Sequence, residues 1–381
     1  MVAPFFVVVV LPVAPPTAVV LEPSTANDES VDDVVVERLL AVVVLLSLPP
    51  PHAPAISARD NASAANRIQR ADAISDSLPA PLRPHDARFG TVIGVVAVTD
   101  VAPYLPPPGS IVRRRATDVR LFGAAGYALI LQVGHPTIAA GVRDHSNYAV
   151  DPWGRFFGTA DFVNLLVYGK PEQVTTAATR LREMHRSIRG TDPDGAKYSA
   201  LEPSAYAWVH ATLAEAIVRG HRVFGTEFTA NEKETFWAEW LRLGALLGIR
   251  DGDLPDTWTA FQLYLDEMIE TTLVNNDVVE AVQGKAARAT GGSPFPWLPA
   301  RAWSVAGRPL GVYGAFLARG TMGAALRAKF EIPWSARQQR RFARVAAVHR
   351  AARPIMVPPL RRAGPLALKV RRRAIAAGPF S

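Results

Sequence analysis

Cysteine is absent from this 381-residue chain. Its absence excludes disulfides, thiolate-ligated haem, iron-sulfur clusters, covalent haem attachment and a cysteine nucleophile, so any metal must use histidine, carboxylates or carbonyls. Histidine is scarce as well, with eight in the chain. Also missing are a Gly-rich phosphate loop ending in Lys-Ser or Lys-Thr, a dinucleotide fingerprint, a nucleophile elbow and the Glu-x-x-His pair of di-iron bundles. No apolar run suits a membrane span. Residues 2–21 carry Pro4, Pro12, Pro15 and Pro16 with no Lys or Arg before them, and residues 39–48 are too few before Pro49, Pro50 and Pro51.

Acidic residues are lacking at one end. The net charge of +8 hides twelve Lys and Arg and no acid from residue 332 to the C-terminus, which leaves about −4 for the first 331 residues. Arg361, Arg362, Lys369, Arg371, Arg372 and Arg373 have no interleaved aromatics to stack bases. The protein is expected to be cytoplasmic, with weak membrane-surface contact through this tail, and nucleic acid is not expected as a partner.

With 49% hydrophobic residues the chain can build a large core. Three regions are expected: a low-complexity, largely disordered 1–104, a helical domain over 105–355 and a basic tail over 356–381. Residues 52–84, rich in Ala, Ser, Asp and Pro without hydrophobic period, carry the first expectation. An alternative is that the upstream part precedes the true start. Order is expected to begin near Pro106, with a buried helix over 117–132 ended by His135-Pro136. Further helices are expected over 138–145, 158–168, 171–190, from Pro203, from a Thr229/Glu232 capping box, and over 257–273, 309–330 and 335–352, with a turn-rich break at 291–299. No segment alternates convincingly outside the N-terminal region, so the fold class is all-α, one main domain of about eight to ten helices.

The stretch 171–190 carries the most chemistry. Val174, Ala177, Leu181, Met184 and Ile188 fall on one core-facing stripe. At roughly 100° per residue, His185 lies about 50° from its middle, with Arg182 and Arg189 further round. A neutral imidazole on an apolar wall with cations nearby suits haem and its propionates, but the same spacing suits an interhelical salt-bridge face, and spacing alone does not separate them. His210 and His221 share a helix face and are expected to bond between packed helices. Trp208, Trp237, Trp240 and Trp258 suit core packing or the wall of an apolar pocket.

An ordered series of residues then points to a family. It runs from Gln132-Val133-Gly134-His135-Pro136 through Gly141-Val142, His145-Ser146, Asp151-Pro152, Gly154-Arg155 and Thr159. It continues with the segment from Arg182 to Arg189, Tyr198-Ser199-Ala200 and Trp208-Val209-His210. Together these resemble the MpaB-type oxygenases, which include the rubber oxygenases, over residues from about 106 to about 330. The resemblance implies a globin-like helical core holding one haem b, its iron ligated by His185 and flanked by Arg182 and Arg189, with Arg155 and Thr159 on the distal side. It also implies a dioxygen-dependent reaction on an apolar, unsaturated, isoprenoid or lipid-like substrate; a non-catalytic haem or apolar-ligand binder is the alternative. The sequence departs at Gly158, where rubber oxygenases carry a lysine beside the threonine, which puts polyisoprene itself in doubt.

Overall fold

The computed structural model describes residues 101–146, 152–286 and 300–352. The expectations for 1–100, for the break at 291–299 and for the tail after 352 lie outside the described residues. Within them the chain is helical except for one two-stranded antiparallel hairpin. The helices are α1 (Ile111–Arg115), α2 (Ala125–Val133), α3 (Pro136–His145), α4 (Pro152–Tyr168), α5 (Pro171–Ser187), α6 (Pro203–Phe224), α7 (Ala230–Leu247), α8 (Trp258–Glu267), α9 (Asp277–Ala286), α10 (Ala300–Thr321), α11 (Ala324–Lys329) and α12 (Ala336–Ala352). The strands β1 (Arg189–Thr191) and β2 (Lys197–Ser199) lie between α5 and α6, with Arg189 opposite Ser199. Among the described residues no helix is long and apolar enough to cross a membrane.

Helix α6 is the hub. Fourteen of its 22 residues are buried, so its polar side chains need protein partners. His210 Nε2 lies 2.9 Å from the Trp240 carbonyl of α7, and His221 Nε2 lies 2.9 Å from the Arg115 carbonyl of α1. The Glu215 carboxylate, 2% exposed, accepts from Tyr127 of α2 at 3.1 Å, from Arg219 at 2.7 Å and from Gln262 of α8 at 3.3 Å. The Arg219 guanidinium also sits 4.9 Å over the Tyr127 ring. The two histidines thus bond between packed helices, as their spacing suggests. The tryptophans are core: Trp208, Trp237 and Trp240 are fully buried, and each indole N–H donates to a backbone carbonyl. A smaller apolar cluster, Phe224, Val312, Phe316 and Phe342 among it, ties α10 and α12 to the end of α6.

Most helix limits follow from local chemistry. Thr229 and Glu232 form the reciprocal capping box that opens α7, and His135-Pro136 separates α2 from α3. Four expectations need correction. The helix over 117–132 is split, because the Asp118 carboxylate accepts from Arg120 N and starts a 3-10 turn over Val119–Ala124 before α2. Pro309 lies inside α10 rather than at its start. The carbonyl left without a helical partner there is that of Val305, whose residue is 72% exposed and open to water. The helix over 171–190 ends at Ser187, and Arg189 stands on β1. The hairpin itself went unread, because three-residue strands are too short to show alternation.

His210 and His221 are each held down to about 4, first by burial, against the opposing pull of their carbonyl partners. The unfolded chain takes up the same protons near 6.5, so this part of the stability is complete above about pH 6.5 and is lost as pH falls toward 4. Urea unfolding across that range should show a plateau and then a loss of a few kcal/mol. An unmoved midpoint between about pH 7 and about pH 4.5 would contradict the burial of two neutral imidazoles.

Candidate functional site

Pro171 at the first turn and Gln173, whose side chain accepts from Lys170 N, start α5. In its first half Val174 is buried as expected, whereas the expected Ala177 is only half-buried and its neighbour Ala178 is buried. In its second half Leu181 is half-buried and Met184, expected inside, is 47% exposed. The apolar stripe therefore emerges from the core at the turn that carries His185.

His185 is half-buried, and its Nδ1 lies 2.7 Å from the Leu181 carbonyl one turn back. A carbonyl only accepts, so Nδ1 carries the proton and Nε2 keeps its lone pair. Burial lowers its pKa below the ordinary value, the Leu181 bond opposes that shift, and the positive charge of Arg155 adds to it. The imidazole is thus neutral at physiological pH. The ring of Tyr206 on α6 meets it edge-on, with centroids 5.6 Å apart and planes at 86°. One ring nitrogen is thus fixed by a carbonyl, a contact also made by histidines that ligate a metal through the other nitrogen.

The expected neighbours are distributed unevenly. Arg155 and Thr159 are exposed on α4, which packs against α5, and the charge of Arg155 reaches His185. The Thr159 hydroxyl donates to the Arg155 carbonyl at 3.1 Å, which leaves its oxygen as an acceptor. At Gly158 an added Cβ would meet nothing within 4 Å. This glycine relieves no clash, so the face between Arg155 and Thr159 is open space. Arg182 is partly committed elsewhere: Nη1 donates to the Leu247 carbonyl at 3.0 Å, where it offsets the negative end of α7. Arg189 is exposed on β1 rather than one turn above His185 on the same helix.

Sequence reasoning missed two participants. Gly248 ends α7 with φ +88°, and a Cβ there would stand 1.7 Å from Arg182 Nη1. A glycine directly after a periodic helix was the available signal. Tyr206 had none, since it reads as one more apolar position of α6. Its hydroxyl is buried without a hydrogen-bond partner, and burial raises its pKa to about 12, with Arg182 pulling the other way.

Among the described residues no group of three or more His, Asp or Glu could hold a metal ion. A single neutral imidazole whose Nδ1 is committed to a carbonyl, on the turn that also carries exposed Met184, instead fits a metal that brings its own equatorial ligands, as haem iron does. On the ligand side the residues fit haem b.

The site and fold therefore define a predominantly helical protein with one half-buried imidazole on α5, within electrostatic reach of Arg155 on the neighbouring α4. The sequence profile described as "ER-bound oxygenase mpaB/B'/Rubber oxygenase, catalytic domain" matches residues 113–351. The chain belongs to this family, an oxygenase-type catalytic domain. Uncharacterized proteins of Mycobacterium bovis and Mycobacterium tuberculosis are each 25% identical over 228 residues, covering 59% of this chain and 85% of theirs. No solved structure matches significantly.

Replacing Gly248 by Ala should lower stability by roughly 1–3 kcal/mol, because it forces a side chain into the left-handed region and against Arg182. Its effect and that of Arg182→Ala should be strongly non-additive in a double-mutant cycle of unfolding free energies. Simple additivity would contradict the shared contact.

Proposed function

We propose that this chain is a haem b-dependent oxygenase acting with dioxygen on an apolar, unsaturated substrate of isoprenoid or lipid-like kind. The observation that carries the reading is the fixed tautomer of His185, whose Nδ1 faces the Leu181 carbonyl and whose Nε2 is left as a ligand atom. Membership of an oxygenase family supports it independently.

A bound haem would supply dioxygen binding and redox chemistry that no side chain of this chain can provide. The chain's own residues do the rest. His185 Nε2 would hold the iron, and the Leu181 carbonyl keeps the ring in the tautomer that leaves this nitrogen free to ligate. Arg182 and Arg189 are the cations for the propionates; Arg182 retains Nε and Nη2 for this while Nη1 serves Leu247. On α4, Arg155 and Thr159 orient a polar oxidant or water, Arg155 by charge and donation, Thr159 through its hydroxyl oxygen. Met184 and the emerging stripe of α5 offer an apolar surface where exclusion of water protects the reaction.

A second reading, a haem or apolar-ligand binder without turnover, is favoured by one observation. Gly158 places no side chain in the open space between Arg155 and Thr159, so this position itself offers no amine, acid or base.

His185→Ala should reduce haem retention at least about tenfold while leaving the helical content intact. Full haem content with an unchanged spectrum would remove His185 from the site. Oxygen consumption in the presence of isoprenoid or unsaturated fatty-acid substrates separates the two readings: uptake that Arg155→Ala diminishes supports the oxygenase, and haem binding without uptake supports the binder.

A further inference from the structure

From residue 300 to residue 381 the chain contains seventeen Lys and Arg and a single acid, Glu331. The described part of this stretch is α10, α11 and α12, so the asymmetry belongs to a folded block and not only to the segment that follows it. Phe316 meets Phe342 edge-to-face and Tyr313 stacks on His349, so α10 and α12 run antiparallel, and the first half of α10 lies toward the end of α12. The inner face of α12 is covered, with Phe342, Val345 and Ala346 buried. Its outer face shows Arg340 and Arg344, one turn apart. Arg350 donates to the Val223 carbonyl and brings this end of α12 beside exposed Arg222 of α6. On α10, Arg308 is exposed one turn after Val305, which is 72% exposed, and Leu310, 37% exposed, stands on another face of the same helix. Arginines without interspersed acids, next to protruding aliphatic side chains, match an anionic bilayer surface. There the charges meet headgroup phosphates and the aliphatics enter the interface. The continuing chain adds seven more Lys and Arg, from Arg353 to Arg373, with no acid.

We propose that the acid-free block of α10 and α12 docks this protein peripherally on an anionic lipid surface. The inference stands on charge and exposure and does not depend on haem or on turnover. The partner is a phosphate-bearing bilayer rather than nucleic acid, because the block presents no exposed aromatic at which bases would stack and does present aliphatics.

Co-sedimentation of the full chain with phosphatidylcholine vesicles, with and without about one-third phosphatidylglycerol, tests this. Binding is expected to the mixed vesicles only and should fall steeply as salt rises from about 0.1 M to about 0.5 M. The double replacement Arg340→Gln with Arg344→Gln should weaken binding about twenty- to thirty-fold, taking about fivefold per cation. The double replacement Lys233→Gln with Arg242→Gln on α7 removes the same charge and should leave binding within about twofold of the parent. Circular dichroism and melting of both variants establish that the fold is retained. Equal binding to neutral vesicles, an equal loss in the α7 variant, or capture by duplex DNA with none on the vesicles would overturn the proposal.

Discussion

The structure depends on the near-complete burial of α6. A helix buried on most of its faces cannot leave its polar side chains to water, so its ionisable groups at His210, Glu215 and His221 are met by other elements, while the Tyr206 hydroxyl has no partner among the described residues. His210, Glu215 and His221 are met in turn by α7, by α2 with α8, and by α1. These contacts select one arrangement of neighbours, because sliding any helix by a turn would leave a buried imidazole or carboxylate without its partner. The apolar core supplies most of the free energy, and the polar contacts supply the register.

That register positions the site. Tyr206, near the start of α6, is fixed by the same packing and sets its ring edge-on to His185. The short hairpin between α5 and α6 turns the chain so that the end of one helix faces the beginning of the next. Arg182 ties α5 to the end of α7. The imidazole is thus held by the Leu181 carbonyl and the Tyr206 ring, while the Met184 turn beside it is exposed. A rigidly held imidazole is what a cofactor with its own ring of equatorial ligands requires.

Much of this was legible in the sequence where a local rule and the packing agree. Proline after His135, the capping box at Thr229 and the apolar period of α6 each act within one turn, and each sits where expected. The bonding of His210 and His221 followed from their shared face. Where tertiary contacts decide, the sequence misled. Met184 continues a perfect period yet stands exposed, because periodicity records which side chains share a stripe and not whether anything covers it. Arg189 falls one turn beyond Arg182 and His185 in projection, but the helix stops two residues earlier, and Gly190 of the following strand packs so close to the Tyr198 hydroxyl that a Cβ would come within 2.7 Å. Tyr206 could not be singled out, since its role arises only when α5 is laid beside α6.

The central claim is that His185 presents Nε2 to a haem iron. The absorption spectrum of the purified full chain, ferric and after reduction, tests it most directly. The account predicts a Soret band and the reduced pattern of histidine-ligated b-type haem. A colourless protein after expression with added haem precursor would contradict it.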